Sequence, residues 1–125
     1  MLLVSGRGGR LLLPADTSAH VEPEIAQAAG DVAPLVLVAP HHGSKTASNE
    51  DYLRALHPLF AIASNGYRNR FHHPAPVIVA RYQSLGIPLL STPGTGAVSI
   101  VFPFNAVPRI SAEERIRQTH YWREH

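Results

Sequence analysis

Three polar clusters carry residue types that can do chemistry. Asp16 follows the run Leu11-Leu12-Leu13-Pro14-Ala15. A carboxylate at the exit of a buried strand is a hard oxygen ligand on a rigid support, and its two oxygens can be shared between two metal ions. A turn residue or a helix cap is the alternative, because Asp favours both. His41-His42-Gly43-Ser44 follows the most apolar strand of the chain. Neutral imidazole nitrogen binds metals, and one histidine of such a pair can instead orient its neighbour or touch substrate. Gly43 lets the backbone turn sharply beside them. A solvated loop with incidental histidines is the alternative. The third cluster runs from Asn65 to Pro74. Arg68 and Arg70 can grip phosphate oxygens in forked geometry. Asn65 and Asn69 can donate to a phosphate or a sugar, and Tyr67 and Phe71 could stack on bases. The alternative is an exposed loop stopped by Pro74.

The rest of the chain narrows the chemistry. His20, His57, His120 and His125 stand alone and read as structural or solvated. No nucleophile elbow surrounds Ser44, so a serine triad is not supported. Gly6-Arg7-Gly8-Gly9 lacks the spacing and the lysine of a phosphate-binding P-loop. The chain has no cysteine. Disulfides, Cys-ligated zinc, iron–sulfur clusters and thiol nucleophiles are therefore excluded. Eleven Lys and Arg against nine Asp and Glu leave a net charge of +2, too even for a basic nucleic-acid arm. No apolar stretch approaches the roughly 18 residues of a membrane-crossing helix.

The elements that must position these clusters follow from periodicity. The chain has 125 residues, one domain's worth at most. Leu2–Ser5 and Arg10–Leu13 flank a glycine turn and read as a hairpin. Pro23–Ala29 reads as a short helix stopped by Gly30. Leu35–Ala39 is apolar on both faces, a buried strand. Asn49–Leu56 reads as a helix capped by Asn49 or Ser48. Leu59–Ser64 is a strand, and Pro76–Leu85 a helix ended by Gly86. Ile87–Thr92, a turn at Pro93–Gly96, and Ala97–Phe102 read as a closing hairpin. Residues 105–125 read as a polar, arginine-rich tail with a helix over Ala112–Trp122 as its one candidate element. Strand–helix–strand–helix–strand predicts an α/β fold, a mixed sheet with helices packed on it. The three polar clusters then sit at the carboxyl ends of strands, where such sheets gather functional groups.

Taken in order, the leucine strand ending in Asp16, Val36–Ser44, the run Asn69-Arg70-Phe71-His72-His73-Pro74, and Gly94–Val98 resemble a known family. They are similar to the carboxyl-terminal part of the metallo-β-lactamase-like domain of ComEC-type DNA internalisation competence proteins. The likeness covers about residues 1–102. It implies half of an αββα sandwich over residues 1–104, with two divalent metal ions, Zn²⁺ or Mn²⁺, in the complete domain. Asp16 corresponds to a bridging metal ligand. His41 and His42 correspond to a later metal-ligand motif, and the choice between them stays open. His73 corresponds to an active-site position and is carried over, with Ser44, as catalytic. Asn69, Arg70 and Arg68 are carried over as substrate contacts, with DNA as the partner.

The same resemblance implies what this chain lacks. The family's His-x-His-x-Asp-His signature is absent, and it supplies most of the ligands. Asp16 and one histidine cannot hold two ions, since each needs three or four ligands. The chain therefore reads as half a domain, beginning about one hairpin before Asp16, with Tyr121-Trp122-Arg123 reading as a natural terminus. The expectation is a fragment inactive alone, binding no metal tightly, that needs the missing amino-terminal half. Its association with the inner membrane would come through the parent protein only. Two other readings remain: a hydrolase of the same fold acting on another phosphodiester or ester, and a non-catalytic remnant or partner module. The last predicts an exposed apolar sheet face.

Overall fold

A computed structural model describes residues 1–30 and 34–117. It is an α/β fold. Strands β1 (Leu2–Gly6) and β2 (Gly9–Leu13) form an antiparallel hairpin. Helix α1 (Glu22–Ala29), strand β3 (Leu35–Val38), helix α2 (Glu50–Leu56), strand β4 (Phe60–Ala63), helix α3 (Pro76–Ser84) and strand β5 (Leu89–Ser91) follow. The five strands make one mixed sheet in the order β1-β2-β3-β4-β5, with β2 to β5 parallel. Parallel neighbours require crossovers, and crossovers are right-handed. Because the parallel strands advance in one direction, all three helices land on one face.

Alternation along the strands builds two cores. Leu12, Leu35, Leu37 and Ala61 face the helices and pack with Ile25, Tyr52, Leu53, Leu56, Ile78 and Tyr82. Val36, Phe60 and Ile62 face the other way, with Leu11 and Leu90 beside them. That second face is the reason β3 reads as apolar throughout.

The closing hairpin differs from the sequence expectation. After β5 a single helical turn, α4 (Thr92–Thr95), carries the chain off the sheet. Strand β6 (Val98–Val101) does not return along β5. It pairs antiparallel with β7 (Arg109–Glu113), a strand inside the segment read as a tail. The pair is a separate two-stranded sheet that lays Val98, Ile100 and Ile110 over Val36, Phe60 and Ile62. Burial of that second face selects this partner, since a strand continuing the main sheet would leave the face in water. The helix expected over Ala112–Trp122 begins only at α5 (Glu114–Arg117), and residues 118–125 lie outside the described residues.

The sheet face expected to be bare is thus partly roofed. What stays exposed lies toward the β1 edge, where Leu2 and Val4 are about half accessible beside an apolar hollow lined by Leu11 and Phe102. No helix among the described residues is long and apolar enough to cross a membrane.

Two buried polar anchors hold the helical layer. The Arg10 guanidinium donates to the carbonyls of Ala29 and Gly30, satisfying the open end of α1. The Glu22 carboxylate, fully buried, accepts the backbone N–H groups of Ser48 (2.5 Å) and Asn49 (2.8 Å). Asn49 caps α2 by accepting from the Asp51 N–H. Ser48 Oγ lies 3.1 Å from the hydroxyl of Tyr82, whose phenol is pushed up to about 12, mainly by burial.

Candidate active site

The loops at the carboxyl ends of β2, β3, β4 and β5 converge. Asp16 sits just past Ala15, which has a left-handed backbone (φ 62), and the Ala15 carbonyl accepts the His41 N–H at 2.9 Å. β3 runs into a tight turn over Pro40–Gly43. Within it His41 (φ 49) and His42 (φ 55) are both left-handed, a strained arrangement for residues with a Cβ. Gly43 (φ 83) ends the turn against the third loop. A Cβ there would stand 2.6 Å from Pro74 Cβ and 2.9 Å from Pro74 Cα. The Ala75 N–H donates to the Gly43 carbonyl at 2.9 Å. The double-histidine turn and the His73-Pro74 segment, joined by a cis peptide bond, are thereby one packed unit.

The two histidines of the pair have different surroundings. His42 Nδ1 lies 2.8 Å from the Ser64 carbonyl at the end of β4. A carbonyl only accepts, so Nδ1 carries the proton. His42 Nε2 lies 3.4 Å from Asp16 Oδ1. Nε2 then either carries a second proton and pairs with the carboxylate, or presents a lone pair beside it, as in a cation site. Imidazoles that bind metals are commonly held by such a carbonyl on the opposite nitrogen. His41 instead meets His73 edge to face, with ring centres 6.2 Å apart, and its Nδ1 is buried without a hydrogen-bond partner.

His73 stacks on Phe71, centres 5.7 Å apart. Its imidazole is held below the ordinary histidine range of about 6.5, first by desolvation, then by the neighbouring His41 and His42. The neutral ring is therefore favoured by folding. Stability from this source is present above about 6.5 and is lost as the pH falls through the lowered value. An NMR titration of the His73 ring is expected to give a midpoint below 6.5, raised in His41→Ala but not to the free value. A midpoint at or above 6.5 in the parent chain would contradict this.

Asn69 is the organiser of the third loop. Its amide donates to the carbonyls of His73 (2.8 Å) and Gly66 (3.2 Å), and its oxygen accepts the His73 N–H (2.8 Å). The side chain read as a substrate contact is committed to its own loop. Ser44 is buried, with its hydroxyl 3.0 Å from that of Thr46, and makes no bond to His73. Arg68 and Arg70 are exposed and lie over the rings of Tyr67 (5.4 Å) and Phe71 (4.7 Å). His42, Asn65, Asn69, Phe71 and His73 line a cavity of about 170 Å³.

Sequence reasoning missed the positioning role of Asn65 and Thr92. The Asn65 amide donates to the His42 carbonyl at 2.6 Å. The Asn65 N–H donates to Thr92 Oγ1, whose hydroxyl donates back to the Asn65 carbonyl. The available signal was a Ser-Thr pair at the end of β5, the position facing the other loops. Among the described residues, no three His, Asp or Glu side chains group as a metal site. The site shows one oxygen donor and one nitrogen donor side by side.

No family model matches the chain. It is 36% identical over 99 residues to "Competence protein ComA" of Neisseria gonorrhoeae, a match covering 78% of this chain and 14% of that protein. It is 32% identical over 87 residues to "ComE operon protein 3" of Bacillus subtilis (strain 168), covering 70% of this chain and 11% of that protein. It is 29% identical over 115 residues to "Uncharacterized protein YcaI" of Escherichia coli (strain K12), covering 90% of this chain and 15% of that protein. The chain thus spans a small part of the length of each curated relative it matches.

Proposed function

From its homology to a stretch of two competence proteins, we propose that this chain is a segment of a DNA-processing domain used in DNA uptake. The domain would be metallo-β-lactamase-like, within a membrane-associated parent protein, and the chain would supply part of a divalent-metal site. The observation that carries the proposal is the pair Asp16 Oδ1 and His42 Nε2 at 3.4 Å, with His42 oriented by the Ser64 carbonyl.

The donor set suits Zn²⁺ or Mn²⁺. Asp16 offers two oxygens and His42 one nitrogen, fewer than the three or four ligands an ion requires. The remaining ligands would come from a partner segment corresponding to other parts of the longer relatives. Asp16 and His42 would help to hold a metal whose chemistry there would be Lewis-acid polarisation of a water and a phosphodiester oxygen. His73, held below the ordinary histidine range beside His41 and lining the cavity, would accept a proton. Arg68 and Arg70, exposed on the third loop, would hold phosphate oxygens. Asn69, Asn65 and Thr92 keep the loops in register. Ser44 acts as a turn-former, its hydroxyl engaged within the loop.

Calorimetric titration with Mn²⁺ and Zn²⁺ tests this, on the chain alone and mixed with the preceding segment of a longer relative. Tight binding is expected only in the mixture. Asp16→Ala and His42→Ala should each weaken it by about 10- to 100-fold or more, since even outer-layer partners of metal ligands have effects of that size. His41→Ala should have a smaller effect. Tight stoichiometric binding by the chain alone, or full dependence on His41 with none on His42, would overturn the assignment.

A further inference from the structure

The glycine turn of the first hairpin, Gly6-Arg7-Gly8-Gly9, takes no part in the site, but it seats another loop. A Cβ on Gly8 would collide with the Pro103 carbonyl oxygen and stand 2.9 Å from that of Phe102. A Cβ on Gly9 would stand 2.8 Å from Pro108 Cγ. The loop between β6 and β7, residues 102–108, is therefore gripped near both of its ends. Pro108 is buried, whereas residues 104–107 between the two anchors are all exposed. Phe104 is 69% accessible and Val107 60%. The loop reads Phe-Pro-Phe-Asn-Ala-Val-Pro and carries no charge. Exposed arginines flank it. The Arg7 guanidinium lies 5.1 Å from the centre of the Phe104 ring, and Arg109 follows Pro108. Neither forms an ion pair among the described residues.

A single exposed apolar side chain is ordinary on a protein surface. Here a phenylalanine and a valine project together from a loop held at both ends, so little chain entropy is lost when the tip is buried elsewhere. Their transfer out of water is favourable in proportion to the apolar area removed. The arginines add a sign to the partner. A guanidinium stem runs along apolar surface while its head reaches outward, and the planar fork of N–H groups matches phosphate oxygens. An apolar tip rimmed by cations thus complements an anionic lipid surface, which is fluid and closes around a protrusion. A second copy of this chain is disfavoured by the same charges, since joining two such tips brings four arginines together.

We propose that the β6–β7 loop is a lipid-docking tip: Phe104 and Val107 enter the headgroup layer of an anionic bilayer, and Arg7 and Arg109 meet its phosphates. The tip sits at the Gly9 end of β2, and Asp16 follows the other end of that strand. Docking therefore leaves the Asp16–His42 end of the sheet open to water. The contact is made by this chain itself, which departs from the expectation that membrane association comes through the parent protein only. It does not depend on the metal or nucleic-acid readings above.

Co-sedimentation of the full chain with vesicles tests the proposal, using equal parts phosphatidylglycerol and phosphatidylcholine, or phosphatidylcholine alone. Binding to the anionic vesicles is expected, and about tenfold weaker binding to the neutral ones. Phe104→Ser and Val107→Ser should each weaken anionic-vesicle binding about five- to tenfold. Arg7→Gln and Arg109→Gln should each weaken it about fivefold at low salt, an effect that high salt removes while the Phe104 effect persists. Ile116→Ser removes a side chain of similar exposure, 65%, from α5 and should match the parent chain. Urea midpoints of all five variants should match the parent's, because each changed side chain is exposed. If the parent chain does not sediment with anionic vesicles, or if the loop and arginine variants match Ile116→Ser, the assignment falls. Equal binding to both vesicle types would overturn the role of the arginines. Self-association lost in Phe104→Ser, without vesicle binding, would make the loop an interface between copies and overturn the lipid assignment.

Discussion

Gly43→Ala is expected to lower the unfolding free energy by about 2–4 kcal/mol, combining a left-handed backbone penalty with overpacking. Gly43 has φ 83, a conformation in which a Cβ is strained. The added methyl would also meet Pro74 Cβ at 2.6 Å and Cα at 2.9 Å. A ring and a backbone atom cannot swing aside as the tip of a flexible side chain can. Relief requires the double-histidine turn and the His73 loop to part, which breaks the hydrogen bond from the Ala75 N–H to the Gly43 carbonyl. The variant should therefore lose both stability and the contact of His41 with His73. Urea unfolding measures the first, and the NMR titration of His73 reads the second. A loss under about 1 kcal/mol with an unchanged His73 midpoint would refute the packing argument.

The second large effect lies behind the site. Glu22→Ala is expected to cost about 2–5 kcal/mol, because it strands two backbone donors at a buried position. The Ser48 and Asn49 N–H groups both end on the Glu22 carboxylate. These residues close the loop that opens at His41, and Asn49 caps α2. Ser48 is also left-handed (φ 57), and its carbonyl accepts from Arg81 at 2.8 Å. Without the carboxylate, neither donor has an alternative protein acceptor in place. Glu22→Gln should cost roughly half as much, since its amide keeps one acceptor oxygen. Denaturant unfolding of the two variants, compared at equal slope, is the measurement. Equal and small losses in both would mean that water replaces the carboxylate.

Most of the framework was legible from the residues. Leu35–Val38 is buried on both faces as its unbroken apolar run required, and Asn49 caps the helix that its side chain announced. Gly30 and Gly86 adopt left-handed backbones at the ends of α1 and α3. These features obey rules acting within a few residues: alternation, capping and the steric freedom of glycine. The placement of Asp16, the double histidine and the Asn65–Pro74 loop at one end of the sheet followed from the same rules plus crossover handedness.

The partner of β6 was not legible. Arg109–Glu113 is a short run behind Pro108, with only Ile110 strongly apolar, and nothing local distinguishes it from a polar tail. Its pairing is selected by the second face of the main sheet, which exists only once β3 and β4 are side by side. The role of Asn69 was hidden for a related reason. An Asn in a loop with two arginines has the composition of a ligand contact, and only the folded backbone shows both ends of its amide already bonded.

The sequence by itself determined the α/β class, the order of the core elements and the set of residues that gather at one edge. It also excluded cysteine chemistry outright. The tertiary structure alone decided that His42, and not His41, stands beside Asp16. It likewise decided that Gly43 must stay glycine against Pro74 and that β6 joins β7. The physical reason is range. Adjacent histidines are chemically identical until a carbonyl 22 residues away, Ser64, takes one ring nitrogen and leaves the other facing the carboxylate.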